Sequence, residues 1–136
     1  MNRSGEVVKA ILKQAKAQVE DLLIIFDSLD LPVAALRLKA HGSSGGHRGL
    51  NSVLQSLKTE SVARLAIGIG RPAYKSQVVD YVLSDPSPDE ERLLANACAE
   101  AALYILRLLT EPFSRVMADV NKRKMLSNET KGQGLS

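Results

Sequence analysis

The sequence predicts a mixed α/β domain, a sheet flanked by helices. Three observations carry that expectation. A continuous apolar run, Leu22-Leu23-Ile24-Ile25-Phe26, is bounded by charge and reads as a strand buried on both faces. Two further segments, Ala35 to Lys39 and Arg64 to Ile69, alternate with the period of a strand. Apolar residues recur at helical spacing before, between and after these segments.

The elements follow in order. Ser4 can cap a first helix, and Glu6 suits its positive first turn. Val7, Val8, Ile11, Leu12, Ala15 and Val19 then recur at helical spacing, with Lys9, Lys13 and Lys16 on other faces. Asp27 stands at the carboxyl end of the apolar strand, where α/β folds place ligand sites. Asp30 and Pro32 mark a turn. In the next strand Leu36 and Leu38 face one way and Arg37 and Lys39 the other, which makes a half-exposed strand with a basic stripe. Gly42-Ser43-Ser44-Gly45-Gly46-His47 reads as a flexible loop, followed by a short helix with Leu50, Val53, Leu54 and Leu57 on one side.

The second alternating strand turns Leu65, Ile67 and Ile69 inward, and Gly68 and Gly70 allow close backbone approach. Val78 to Leu83 fits strand and helix alike. Ser87 and Glu90 form a capping box with Pro88 at the first helical position. Leu94, Ala97, Cys98, Ala101, Ile105 and Leu108 supply that helix's buried side, so Cys98 is expected in the core. Pro112 ends it or opens the next, in which Phe113, Val116, Met117 and Val120 repeat. The expected organisation is one domain over residues 1–122, with a basic, polar, disordered tail over 123–136. Only three segments read convincingly as strands, and the sequence opens inside a helix, as if a fold's first strands were missing.

Composition narrows the function classes. The chain has 136 residues, 45% of them apolar and 24% charged, as in an ordinary globular domain. No apolar run approaches the roughly 20 residues of a membrane span. No signal peptide is visible after Met1. A single cysteine excludes an internal disulfide framework and a multi-Cys zinc site. The absence of Trp, with aromatics at 4%, argues against a platform that stacks many bases. A net charge of +3 and a pI near 9.1 permit a polyanionic partner without requiring one.

Individual residues admit two readings each. The Gly42–Gly49 segment lacks the spacing of a P-loop. It can present N–H groups to an anion, or be a plain connection. His47 can serve as a general base or as a hydrogen-bonding surface group. Asp27 can orient a base or hold a metal, or it can form a turn. Arg37, Lys39, Arg48, Arg64, Arg71 and Lys75 form a phosphate-binding patch if their strands are neighbours, and otherwise a solvated face.

Taken together, several stretches resemble the bacterial-type peptidyl-tRNA hydrolase family. They are Met1-Asn2-Arg3-Ser4-Gly5, Phe26-Asp27-Ser28-Leu29-Asp30-Leu31-Pro32, Gly42 to Leu50, Arg64 to Pro72, Val79 to Leu83 and the Ser-Pro-Asp-Glu helix start. They fall in the family's order from Met1 to about Lys122. The resemblance implies a mixed sheet flanked by helices. It implies hydrolysis, without a metal or other cofactor, of the ester joining a peptide to the terminal ribose of tRNA. In the family a His activates water, an Asp orients that His, and Asn side chains hold substrate and the developing oxyanion. By resemblance Asp27 is the orienting Asp, Asn2 a substrate-binding Asn, and His47 a residue that borders the site without being the base. Arg37 and Lys39 match positions that lie towards tRNA. A cytoplasmic monomer acting on the acceptor end of peptidyl-tRNA is implied, with a mitochondrion or chloroplast as the other compartment.

The departures from the family pattern are specific. The family's first strand, its Gly-Asn-Pro-Gly turn and its catalytic His precede the Met-Asn motif, and none of them has a counterpart in this sequence. Arg48 stands where the family's loop has Asn, and Ala66 replaces a basic residue on the following strand. The sequence therefore implies an amino-terminally truncated relative with weak or no hydrolysis. The sequence also fits two other roles. One is a non-catalytic RNA- or tRNA-binding module, similar to the chloroplast splicing-factor relatives, and the other is a non-functional fragment.

Overall fold

A computed structural model describes residues 3–70 and 87–123. The elements are α1 (Ser4–Ala15), a 3₁₀ turn (Val19–Asp21), β1 (Leu23–Ser28), β2 (Leu36–Lys39), α2 (Arg48–Leu57), β3 (Ala63–Gly68), α3 (Pro88–Leu108) and α4 (Phe113–Lys122). The three strands form a mixed sheet in the order β1-β3-β2. Gly42 pairs with Glu60 and Ala35 with Gly68, so β2 runs antiparallel to β3. The Ile69 N–H donates to the Ser28 carbonyl at the shared carboxyl ends of β1 and β3, which run parallel. The chain divides into two compact units, residues 1–26 with 38–65 and residues 27–37 with 66–136.

The first unit is built on the packing of α1 against α2. Gly5 is the point of contact. Its N–H donates to Ser52 Oγ at 2.9 Å, and a Cβ placed there would lie 2.1 Å from the Ser52 carbonyl oxygen. Only glycine fits that approach. Leu50, Leu54 and Val62 form the buried core, with Val19, Leu22, Ile24, Phe26 and Leu57 packed on it. The amphipathic reading of α2 is therefore borne out. That of α1 holds in part: the helix forms with Val8 and Leu12 half-buried, while Val7 and Ile11 are exposed. Ser4 is not the cap. It is the first helical residue, preceded by Arg3, and no side chain caps that end.

In the second unit residues 27–37 wrap around the end of β3. Ala34 N–H donates to the Gly68 carbonyl, Gly68 N–H to that of Ala35, and Gly70 N–H to that of Leu31. A Cβ on Gly68 would sit 2.0 Å from the Pro32 carbonyl oxygen, so the close approach read from the sequence is real. Helix α3 starts with the Ser87–Glu90 capping box and Pro88 at its first turn. It packs on α4, with Ala97, Ala101, Val116 and Val120 buried. Arg107 on α3 bonds Glu111 and Asp119. Arg123, just past α4, bonds the Glu100 carboxylate and, through Nη1, the Ala34 carbonyl at 2.9 Å.

Two further expectations need correction. The Leu22–Phe26 run is not a doubly buried strand: β1 begins at Leu23, and Ile25 is 49% exposed. Among the described residues β1 lies at an edge of the sheet, and its side chains are half-buried or exposed. Strand β3 takes the middle place instead, and residues of both its faces are buried. Cys98 is exposed, because Ala97 and Ala101 set the buried side of α3 and Cys98 lies off that line. Val78 to Leu83, with the tail from residue 124 onward, lies outside the described residues.

Candidate functional site

Asp27 is the fifth residue of β1, exposed at the strand's carboxyl end as the sequence predicts. Phe26, immediately before it, meets the His47 ring edge to face, with centroids 4.9 Å apart and an interplanar angle of 71°.

His47 is the N-cap of α2. Its backbone is extended, and its Nδ1 accepts the Leu50 N–H at 3.1 Å. That bond needs a lone pair on Nδ1, so Nδ1 cannot at the same time donate to a carboxylate. Arg48, the next residue, is exposed at the first position of the helix. Asn2, Arg71 and Lys75 lie outside the described residues.

The basic stripe on β2 has the predicted alternation. Leu36 and Leu38 are buried, and Arg37 and Lys39 share the exposed face. Arg64 does not belong with them. It is 3% exposed, turned inward, and bonded to four backbone carbonyls. Nε donates to Val62, Nη1 to Gly42 and Ser43, and Nη2 to Glu60, at 2.8–3.0 Å. Burial lowers the Arg64 pKa, partly offset by the nearby Glu60 charge. The alternating pattern had placed Arg64 outward because Leu65 and Ile67 looked like the only apolar face. The neighbouring small residues on Arg64's own face, Ala66 and Gly68, were the available signal that this face is also packed.

The loop from Gly42 to His47 is consequently tied at both ends. At its start Gly42 N–H donates to the Glu60 carbonyl, and Arg64 holds the carbonyls of Gly42 and Ser43. At its end His47 N–H donates to the Ser44 carbonyl, and the imidazole caps α2. Between these ties Gly45 and Gly46 take positive φ values of 61° and 88° and are exposed. No group of His, Cys, Asp and Glu among the described residues is placed to hold a metal ion.

The peptidyl-tRNA hydrolase family profile matches residues 1–128. The chain belongs to the peptidyl-tRNA hydrolase family. It is 42% identical over 123 residues to a peptidyl-tRNA hydrolase of Persephonella marina, covering 90% of this chain and 65% of that relative. It is 45% identical over 122 residues to one of a Sulfurihydrogenibium species, again covering 90% and 65%. The crystal structure of peptidyl-tRNA hydrolase from Acinetobacter baumannii superimposes with a TM-score of 0.82 at 33% identity, over 91% of this chain and 63% of that one. The chain thus spans about two thirds, at 65%, of the length of the curated relatives it matches. The α/β class and the family resemblance read from the sequence are both borne out.

Proposed function

We propose that this chain carries the tRNA-facing surface and the orienting carboxylate of a peptidyl-tRNA hydrolase. The single observation behind this reading is the family match along nearly the whole chain. The reaction is attack of water on the ester carbonyl that joins a peptide to the terminal ribose of tRNA. The water gives up a proton to an imidazole, a tetrahedral oxyanion forms, and the ribose oxygen leaves with a proton. In this scheme Asp27 steadies the imidazole, Asn2 binds substrate, His47 and Arg48 border the site, and Arg37 with Lys39 meets tRNA phosphates.

The imidazole that Asp27 steadies is not His47 in this reading, because by resemblance His47 borders the site without acting as the base. The sequence's other histidine, His41, precedes the glycine loop and has no matching role in the family scheme. The chain by itself is therefore a weak or inactive hydrolase that still binds tRNA. Arg48 favours the binding role, since an exposed guanidinium suits a phosphate better than a fleeting oxyanion.

An assay of the purified chain on N-blocked aminoacyl-tRNA, beside an intact relative, tests this. Turnover should fall below the relative's by about 10²–10⁴-fold, the range that general-base catalysis contributes. Turnover equal to the relative's overturns the assignment of a missing base.

A further inference from the structure

We propose that Arg64 is a positioning residue: its buried guanidinium fixes the base of the Gly42–His47 loop and so presents the Gly45–Gly46 apex to a polyanion in one conformation. The proposal rests on the tRNA reading above for the identity of that polyanion, and on geometry for the rest.

Arg64 is 3% exposed and turns its donors to the backbone. Four donor bonds go to carbonyls of two separate segments, Gly42 and Ser43 on one side and Glu60 and Val62 on the other. A planar fork with five N–H groups can bridge two backbone segments in this way, whereas an ammonium on a flexible stem cannot hold the same set in one plane. The bridge crosses the point where the loop leaves β2 and the chain enters β3. The Gly42 N–H to Glu60 carbonyl bond, 3.1 Å, closes the same junction. Downstream the loop has its own anchor at His47.

Only the stretch between the anchors is free of close packing. Atoms built at the Cβ positions of Gly45 and Gly46 meet nothing within 4 Å. These glycines are thus required for backbone conformation and not for space. An exposed glycine pair held at left-handed angles loses its preset shape if either anchor gives way. Arg64 supplies the upstream anchor without reaching the ligand, since its side chain is inside.

The test uses the full chain with Arg64→Lys, which keeps the charge and loses the fork. Three quantities are read: amide hydrogen exchange, the dissociation constant for tRNA, and its dependence on salt. Protection of the Gly42 amide should fall at least tenfold, while the Val116 and Val120 amides of α4 change little. The tRNA dissociation constant should rise about three- to tenfold, with the slope of log K against log salt unchanged, because no phosphate contact is lost. A slope reduced by nearly one unit means that Arg64 touches phosphate itself, which overturns the proposal. So does unaltered Gly42 exchange, or unaltered affinity in a variant whose loop has loosened. Where Arg64→Lys gives no cooperative melt, exchange in the wild type decides: a Gly42 amide as fast as in an unstructured peptide contradicts the anchor, and a protected one supports it. Failure of the wild type to bind tRNA removes the hydrolase reading, while the exchange data still judge the anchor.

Discussion

Strands β1 and β3 lie side by side, run parallel and have six residues each, yet they are treated oppositely by the fold. β1 begins with four large apolar residues, Leu23-Ile24-Ile25-Phe26, and leaves Ile25 half in solvent. β3 contains an arginine, two alanines and a glycine, and all of its residues except Ala63 and Ile67 are buried. The lesson is that position in the sheet outranks the hydrophobicity of the strand. A middle strand is covered on both faces and can hide a cation if each donor finds a carbonyl. An edge strand has a strand neighbour on one side only, so its side chains gain less cover from the sheet.

The sharpest way to break this comparison is Gly68→Ala on β3. The new methyl would stand 2.0 Å from the Pro32 carbonyl oxygen and 2.8 Å from Leu31 Cβ, so backbone must move. We expect a loss of about 3 kcal/mol or more, read by denaturant unfolding. A loss below about 1 kcal/mol would mean that residues 31–32 yield freely and that β3 is not tightly covered.

Matched truncations on the two strands give a smaller, graded effect. Leu65→Ala removes a side chain that is 1% exposed and should cost about 2–5 kcal/mol. Ile25→Ala removes one that is 49% exposed and should cost under about 1 kcal/mol. Equal losses at the two sites would show that β1 is covered in solution and would erase the contrast.

The same contrast explains how far the sequence could be read. Elements with one wet face announced themselves: β2 by Leu36 and Leu38 against Arg37 and Lys39, and α2 by its leucines. The start of α3 was legible because a capping box is a local device that needs no tertiary information. What failed depended on partners far along the chain. Nothing within Leu22–Phe26 says whether a second layer covers it. Nothing beside Arg64 names the carbonyls of Gly42 and Ser43, some twenty residues away. Cys98 was misjudged by a small rotation of the helix, which tertiary packing against α4 decides. At the candidate site the position of Asp27 at a strand end was legible, as was the outward turn of Arg37 and Lys39. The capping role of His47 was not distinguished in advance from its other polar roles, because the cap exists only once α2 has formed.

The proposed tRNA interface is the pair of outward cations on β2, Arg37 and Lys39. It is tested most directly by the salt dependence of tRNA binding for the wild type and for Arg37→Ala with Lys39→Ala. The account predicts steep weakening with salt in the wild type, and a slope smaller by roughly 1.4–1.8 in the double variant, since each phosphate contact contributes about 0.7–0.9. Identical slopes for the two proteins would contradict it.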